Sequence, residues 1–172
     1  MNKHLLLIIG LLILALVNYD IYSKEQLLRD GRTLLLELAP VDPRSLMQGD
    51  YMALNYKISQ EWQKLRPYNP PDQGYLVLIL DEDNIGQLQG LDQGNLLEQN
   101  QLRIHYRVRK DRLRIGSNAF FFEEGSAERY SQAAYGELRI NEAGDSLLVA
   151  LRDKDLRLLG ETTEDNNPPQ TP

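Results

Sequence analysis

Residues 102–115 read LRIHYRVRKDRLRI, and this stretch alternates between apolar and polar side chains. Every second residue from Leu102 to Val108 is apolar, and the alternation resumes at Leu113 after the pair Lys110-Asp111. A period of two is typical of a half-buried β-strand, because successive side chains of a strand point to opposite faces. The stretch therefore predicts an antiparallel hairpin that turns at Lys110-Asp111.

Similar patterns on both sides of this hairpin predict seven to nine strands in all. The segment 75–80 is apolar throughout, which favours a central strand covered on both faces, and 85–88 is its expected partner. Further strands are predicted at 33–38, 52–58, 119–122, 135–140 and 146–151. The predicted fold class is mainly β, an antiparallel β-rich domain with one or two short helices.

The two short helices lie between predicted strands. The first is a turn within residues 59–66, around Trp62. The second begins at Ser126 as its N-cap, carries an apolar face along 127–134 and ends at Gly136 as a left-handed terminal residue. We expect this second helix to pack against the sheet and close one end of it.

The beginning of the chain carries a different signal. Residues 5–17 contain no polar side chain, and continuing to Tyr22 gives 18 residues, a helix of about 27 Å against a hydrocarbon core of roughly 30 Å. This favours a retained transmembrane helix with Tyr19 and Tyr22 at the interface. Two alternatives stay open: a cleaved signal peptide, whose apolar stretch is equally short, and a buried helix of a soluble fold.

These signals divide the chain into four parts. Residues 1–22 form the membrane anchor or signal-like segment, 23–31 a polar stalk, 32–160 the β-rich domain, and 161–172 a polar tail expected to be disordered. We expect a single-pass protein of the cell inner membrane with Lys3 on the cytoplasmic side and the C-terminal domain exported, periplasmic or extracytoplasmic.

Composition excludes several kinds of chemistry. The 172 residues include no cysteine, so disulfides, thiolate metal sites and cysteine catalysis are excluded. A net charge of −6 disfavours nucleic-acid binding, and two histidines in the whole chain disfavour a histidine metal site. No cofactor and no metal are predicted.

The most specific string in the chain is residues 40–56, PVDPRSLMQGDYMALNY. Its Gly-Asp-Tyr-x-x-Leu-x-Tyr spacing resembles the defining motif of the GDYxxLxY protein family, with every named position present. The residues of this family motif are Asp42, Pro43, Arg44, Gly49, Asp50, Tyr51, Leu54 and Tyr56.

A later block resembles the second half of the same family. This second motif comprises Phe121, Phe122, Glu124, Gly125, Tyr135, Gly136 and Glu137. The resemblance covers about residues 32–160 and implies one membrane segment before the domain. Family members are often encoded beside polytopic membrane proteins, so it also implies such a protein as the partner, and it implies no reaction.

An envelope hydrolase is the alternative to an interaction protein. Ser45 precedes a Gly-Asp-Tyr string, similar to the nucleophile segment of membrane-anchored signal peptidases, which use a lysine as base. Here the serine lies only four residues before the glycine, and the nearest lysines, Lys57 and Lys110, are predicted to be exposed. The pair Glu123/Glu124 follows three phenylalanines, and this apolar setting makes one of the two carboxylates a candidate general acid or base. The alternative is that both favour the start of the helix predicted from Ser126, where negative charge meets the helix dipole.

Basic residues are concentrated in the predicted hairpin, where residues 103–114 hold six basic side chains and one acid. Five arginines are expected to share one face, opposite the core. Such a face is either solvated and paired with acids of neighbouring strands, or it meets anionic headgroups or an acidic partner. The candidates are Arg103, Arg107, Arg109, Arg112 and Arg114.

These observations together favour a membrane-anchored exported protein that works by protein interaction rather than catalysis. The expected partners are the lipid bilayer, through residues 5–22, and a polytopic membrane protein of which this chain is an accessory subunit. Nucleic acid is not expected as a partner.

Overall fold

A computed structural model of the protein describes residues 3–39, 51–65 and 71–160. It opens with helix α1, Lys3–Asp30, which is continuous through the predicted boundary at residue 22. The residues of the predicted polar stalk thus form the last turns of this helix, where Lys24 meets Asp20 at 2.9 Å. The helix ends at Gly31, whose N–H donates to the Leu27 carbonyl.

The described part of the chain after α1 contains nine strands and two short helices. The bounds are β1 Arg32–Glu37, β2 Tyr51–Ala53, α2 Lys57–Leu65, β3 Gln73–Leu80, β4 Gly86–Leu91, β5 Gln101–Arg109, β6 Arg112–Ile115, β7 Ala119–Phe121, α3 Ala127–Tyr130, β8 Tyr135–Ile140 and β9 Ser146–Arg152. All paired strands are antiparallel. The predicted fold class, a β-rich antiparallel domain with few helices behind an apolar helix, is confirmed.

The strands form a four-stranded sheet in the order β4-β3-β5-β6, a three-stranded sheet in the order β1-β8-β9, and the pair β2-β7. The two larger sheets bury their inner faces in a single core, because alternate leucines and isoleucines of β3, β5, β1 and β8 point inward. Helix α2 adds Ile58 and the single tryptophan, Trp62, whose ring lies 5.2 Å from that of Tyr106.

The two larger sheets also meet at their margins. On one side the N–H of Leu35 in β1 donates to the Asn84 carbonyl just before β4. On the other side the N–H of His105 in β5 donates to the Gly144 carbonyl, in the turn between β8 and β9. These contacts extend each sheet toward the other and close the core on both sides.

The predicted hairpin over 102–115 is confirmed, and its turn lies at the predicted residues. Strands β5 and β6 pair Arg107 with Arg114 and Arg109 with Arg112, and Lys110-Asp111 forms the turn. Both turn residues have positive φ, 50° and 60°, as a two-residue turn of type I′ requires.

The prediction of one strand over 52–58 is wrong in extent. Strand β2 ends at Ala53, and α2 begins at Lys57, so the expected single helical turn within 59–66 is a nine-residue helix from Lys57 to Leu65. Ile58 and Trp62 lie four residues apart and share the buried face of this helix. Arg66 lies outside the described residues.

The prediction that 75–80 is covered on both faces is also wrong. Strand β3 is central, but only Leu76, Leu78 and Leu80 are buried, while Tyr75 and Ile79 on the other face are exposed. The unbroken apolar run thus belongs to a central strand that has one buried face and one solvated face.

The helix predicted from Ser126 to Gly136 is much shorter. It spans only Ala127–Tyr130 and buries no residue, and Ser126 makes no side-chain cap. The chain then becomes extended, because the Ala134 carbonyl accepts a hydrogen bond from the Leu38 N–H and the Ala134 N–H donates to the Arg152 carbonyl. Gly136 lies in β8 and is buried, so it does not end a helix.

Candidate functional site

The described part of the family motif, Tyr51 to Tyr56, is a segment of the core. Leu54 is buried, and its N–H donates to the Asn118 carbonyl next to β7. The rings of Tyr51 and Phe121 lie 5.8 Å apart across the β2-β7 pair. The remaining motif residues, Asp42, Pro43, Arg44, Gly49 and Asp50, lie outside the described residues, as does Ser45.

Tyr56 forms a second contact between the two motifs. Its ring is fully buried and its hydroxyl donates to the Ser117 carbonyl at 3.2 Å. A Cβ added at Gly136 would lie 3.1 Å from this ring, so the glycine of the second motif provides the space that the tyrosine of the first occupies. Burial raises the pKa of Tyr56 well above its usual range, because the ionised phenolate would be desolvated.

The other residues of the second motif lie in four different environments. Phe121 is 74% exposed beside Tyr51, whereas Phe122 stacks on Tyr130 with ring centres 5.2 Å apart. Gly125 takes a φ of 82°, which explains the glycine at this turn. Tyr135, Gly136 and Glu137 open strand β8. The second motif is thus mostly structural, and Phe121 is its exposed aromatic member.

Glu137 is the only charged side chain buried among the described residues, with 6% of its surface exposed. Its Oε2 accepts a hydrogen bond from Arg152 Nε at 2.7 Å, and its Oε1 lies 3.9 Å from Arg139 Nη2. Arg152 Nη1 donates to the Leu156 carbonyl at 2.6 Å. A buried carboxylate held by two guanidinium groups is stable only while both charges stay paired.

Arg139 connects this charge cluster to the base of helix α1. Its Nη1 donates to Thr33 Oγ1 at 2.9 Å and to the Gly31 carbonyl at 3.4 Å. A Cβ at Gly31 would overlap the Leu27 carbonyl oxygen and lie 3.2 Å from Arg139 Cβ. The glycine therefore allows the helix to end directly against the sheet. A cleft of about 650 Å³ lies beside this junction, between the end of α1 and the segment 97–103.

The five candidate arginines do not share one environment. Arg103 is partly buried, with Nε 3.6 Å from Asp92 Oδ2. The other four, on β5 and β6, are exposed, and no carboxylate of the described chain forms a salt bridge with them. We call these four, Arg107, Arg109, Arg112 and Arg114, the basic hairpin end.

The residues considered for a hydrolase are not brought together where the structure describes them. Glu123 and Glu124 are exposed on the turn before α3. Lys57 donates to Glu37 Oε2 at 2.7 Å, and this hydrogen bond raises the pKa of Lys57, which makes it a poorer general base at neutral pH. Lys110 lies at the tip of the β5-β6 hairpin. Residues 3–39, 51–65 and 71–160 contain no group of three or more His, Asp or Glu side chains that could hold a metal ion.

Sequence reasoning missed the charge cluster around Glu137. The strand predicted at 135–140 is confirmed, but nothing in its sequence showed that Arg152 covers Glu137. The signal was the presence of an acid and two arginines at positions 137, 139 and 152, of which Glu137 was predicted as a motif residue but not as a member of a charge cluster.

The described residues combine an apolar helix with a β-rich domain, and a motif is built into the core of that domain. They define the class as a β domain behind one candidate membrane helix. Leu7–Asp30 is long and apolar enough to cross a membrane, and none of it is buried against the rest of the described chain. The model of the GDYXXLXY protein family matches residues 13–151, and the chain belongs to this family. No curated protein and no solved structure matches it.

The family match confirms the resemblance drawn from the motif. It begins at Ile13, inside α1, whereas the resemblance was placed at 32–160. The second half of the helix is thus part of what the family shares. The structure does not support the alternative of a buried soluble helix, because the helix side chains described between Leu7 and Tyr22 are all exposed.

Proposed function

We propose that this protein is a single-pass inner-membrane protein whose exported β domain acts as an accessory, interacting subunit of a polytopic membrane protein. The main observation behind this proposal is the exposed apolar surface of helix α1. The side chains described between Leu7 and Tyr22 are all exposed, and burial of one leucine or isoleucine stabilises by about 1.5–3 kcal/mol. A helix with this many bare apolar side chains requires a bilayer or a protein partner.

The dimensions of α1 fit a membrane span. Residues 5–22 extend about 27 Å, close to the roughly 30 Å hydrocarbon core. Tyr19 and Tyr22 then lie at the interface, and the Asp20–Lys24 pair begins the polar part of the helix. Retention is supported by the continuity of the helix into the domain and by the close contact at Gly31.

Export of the domain is supported by two features. The apolar segment resembles an export signal in length and position, whether or not it is cleaved. A chain without cysteine is also compatible with an oxidising compartment.

An interaction role is supported by the exposed features of the domain. The basic hairpin end and the exposed ring of Phe121 are the kinds of surface that bind partners. The motif residues Leu54 and Tyr56 are buried in packing and hydrogen bonding, so their chemistry is used to build the domain.

The first experiment separates anchor from signal peptide. The full-length chain with a C-terminal tag is expected to stay in the membrane after alkaline carbonate extraction, and mass spectrometry is expected to find the residues before Val17 still attached. A mature chain that begins after the apolar run, and is released by carbonate, would contradict the anchor.

The second experiment tests the partner. Capture of the tagged chain from detergent-solubilised membranes is expected to recover one polytopic membrane protein in stoichiometric amount. Ser45→Ala and Glu124→Gln are expected to leave capture and cellular phenotype unchanged. Loss of function in either variant at normal abundance, without a recovered partner, would favour the hydrolase and overturn the interaction role.

A further inference from the structure

The basic hairpin end has a charge arrangement that works against the fold. Arg107 lies directly opposite Arg114, and Arg109 directly opposite Arg112, on adjacent antiparallel strands. Residues opposite one another in such strands have Cα atoms only about 4.5–5.5 Å apart, and like charges in these positions are destabilising.

Three other arginines on the strands of this domain meet carboxylates, and Arg32 on β1 donates to the Gln99 carbonyl. Arg103, on the same strand β5, meets Asp92, and Arg139 and Arg152 on the second sheet both meet Glu137. The chain has 25 acidic residues and a net charge of −6, so carboxylates are plentiful. An unfavourable cluster of like charges in an otherwise consistent fold is expected where a function needs it.

The position of the basic hairpin end argues against the chain's own bilayer as its counterpart. Strand β5 begins at Gln101, which lines the cleft at the end of α1. Arg109 lies eight residues further along the strand, so its Cα is about 26 Å from that of Gln101. The helix itself continues eight residues past Tyr22, about 12 Å. Both distances exceed the Debye length of about 8 Å at physiological salt.

We infer that the basic hairpin end is the docking surface for an acidic, Asp- and Glu-rich segment of the partner protein. The inference rests on the proposed interaction function and specifies its partner. Arginine suits this task because its planar guanidinium binds a carboxylate through two parallel hydrogen bonds. Carboxylates of the partner would neutralise the two like-charge pairs, so binding relieves the repulsion that the free domain carries.

The test places a photo-crosslinking residue in the full-length chain in cells, as Arg114→p-benzoylphenylalanine, at a strand position that accepts an aromatic side chain. The double variant Arg109→Glu/Arg112→Glu is then added. The matched control is Arg129→Glu/Lys154→Glu, which changes the charge equally at two exposed positions elsewhere. The crosslinked peptide of the partner is identified by mass spectrometry.

The expected result is a crosslink to a segment rich in Asp and Glu, reduced about tenfold by the hairpin reversal and by less than about twofold in the control. Trp62 fluorescence is expected to be unchanged in both variants, which shows that the core is intact. A crosslink that maps to a segment without acidic residues, or that survives the hairpin reversal, overturns the inference.

The outcomes also separate this inference from the proposed function. If the wild-type chain recovers a membrane partner and the hairpin reversal recovers it equally well, only the docking surface is wrong. If the wild-type chain recovers no partner, the proposed function fails and the inference fails with it.

A lipid target is distinguished by reconstitution. The full-length chain is placed in phosphatidylcholine vesicles with and without phosphatidylglycerol, and the rate of trypsin cleavage after Arg109 and Arg112 is measured. We expect the same rate in both. Protection only in the vesicles that contain phosphatidylglycerol overturns the inference in favour of anionic headgroups.

Discussion

Two regions of the domain use arginine in opposite ways. Around Glu137, Arg139 and Arg152 are partly buried, contact a carboxylate and tie β8 to β9 and to the base of α1. At the basic hairpin end, four arginines face one another in pairs and contact no carboxylate of the described chain. The first arrangement stabilises the domain, and the second is suited to a partner. Removing an arginine should therefore have opposite effects on stability in the two regions.

The largest effect is expected from Arg152→Ala. This change leaves the buried Glu137 with one distant guanidinium, so we expect the free energy of unfolding to fall by about 3 kcal/mol. Urea unfolding of the full-length chain in detergent, followed by Trp62 fluorescence, measures it. Arg109→Ala is the control and should not lower stability. A loss below about 1 kcal/mol for Arg152→Ala would show that the cluster is not a stabilising feature.

Gly136→Ala tests the contact between the two motifs in the same region. The new Cβ would lie 3.1 Å from the Tyr56 ring and 3.2 Å from Leu148 Cδ1, so we expect a loss of about 1–3 kcal/mol from overpacking. Adding Leu148→Val makes room on one side and should recover part of the loss. An unchanged urea-unfolding midpoint for Gly136→Ala would show that the fold does not need the close approach of Gly136 to the Tyr56 ring.

The sequence allowed the hairpin and its arginines to be predicted, but not the charge cluster around Glu137. The hairpin and its arginines were predicted because a period of two is local, and the turn at Lys110-Asp111 determines the register. The burial of Glu137 was not predictable, because Arg152 is held over it by the Leu156 carbonyl, a contact with residues beyond the last strand.

The helix predicted from Ser126 to Gly136 was wrong in extent, and the cause is again a contact with a distant part of the chain. Gly136 has the residue type of a helix C-cap, but its place is decided by the Tyr56 ring, eighty residues earlier in the chain. Local propensity was overruled by a tertiary contact.

A third prediction concerns pH and Tyr56. Its pKa is raised above the ordinary value of 10 by burial, so the unfolded chain loses this proton first as pH rises. Stability is then fully present below pH 10 and falls above it, by up to about 1.4 kcal/mol per pH unit for this group. Tyr56→Phe should flatten the decline, measured by unfolding between pH 9 and about 11. An equal slope in both chains would contradict the assignment.

The smallest effect is expected at the basic hairpin end. Arg107→Gln removes one like-charge pair and should raise the free energy of unfolding by about 0.2–1 kcal/mol at low salt. The gain should shrink in 1 M salt, where the Debye length is about 3 Å. A destabilisation above about 1 kcal/mol would show that this arginine supports the fold, and the contrast between the two regions would disappear.

The most direct test of the account is the location of the domain in intact cells. The natural chain has no cysteine, so a single one can be introduced at Leu96, which is 99% exposed in the domain, and compared with Asn2→Cys ahead of the apolar run. A membrane-impermeant maleimide is added to intact cells, and carbonate-washed membranes are then examined for the label. We predict that full-length Leu96→Cys is labelled in the membrane fraction and that Asn2→Cys is labelled only after lysis. Labelling of Leu96→Cys only after lysis, or its recovery as a soluble protein, would contradict an exported domain held by α1.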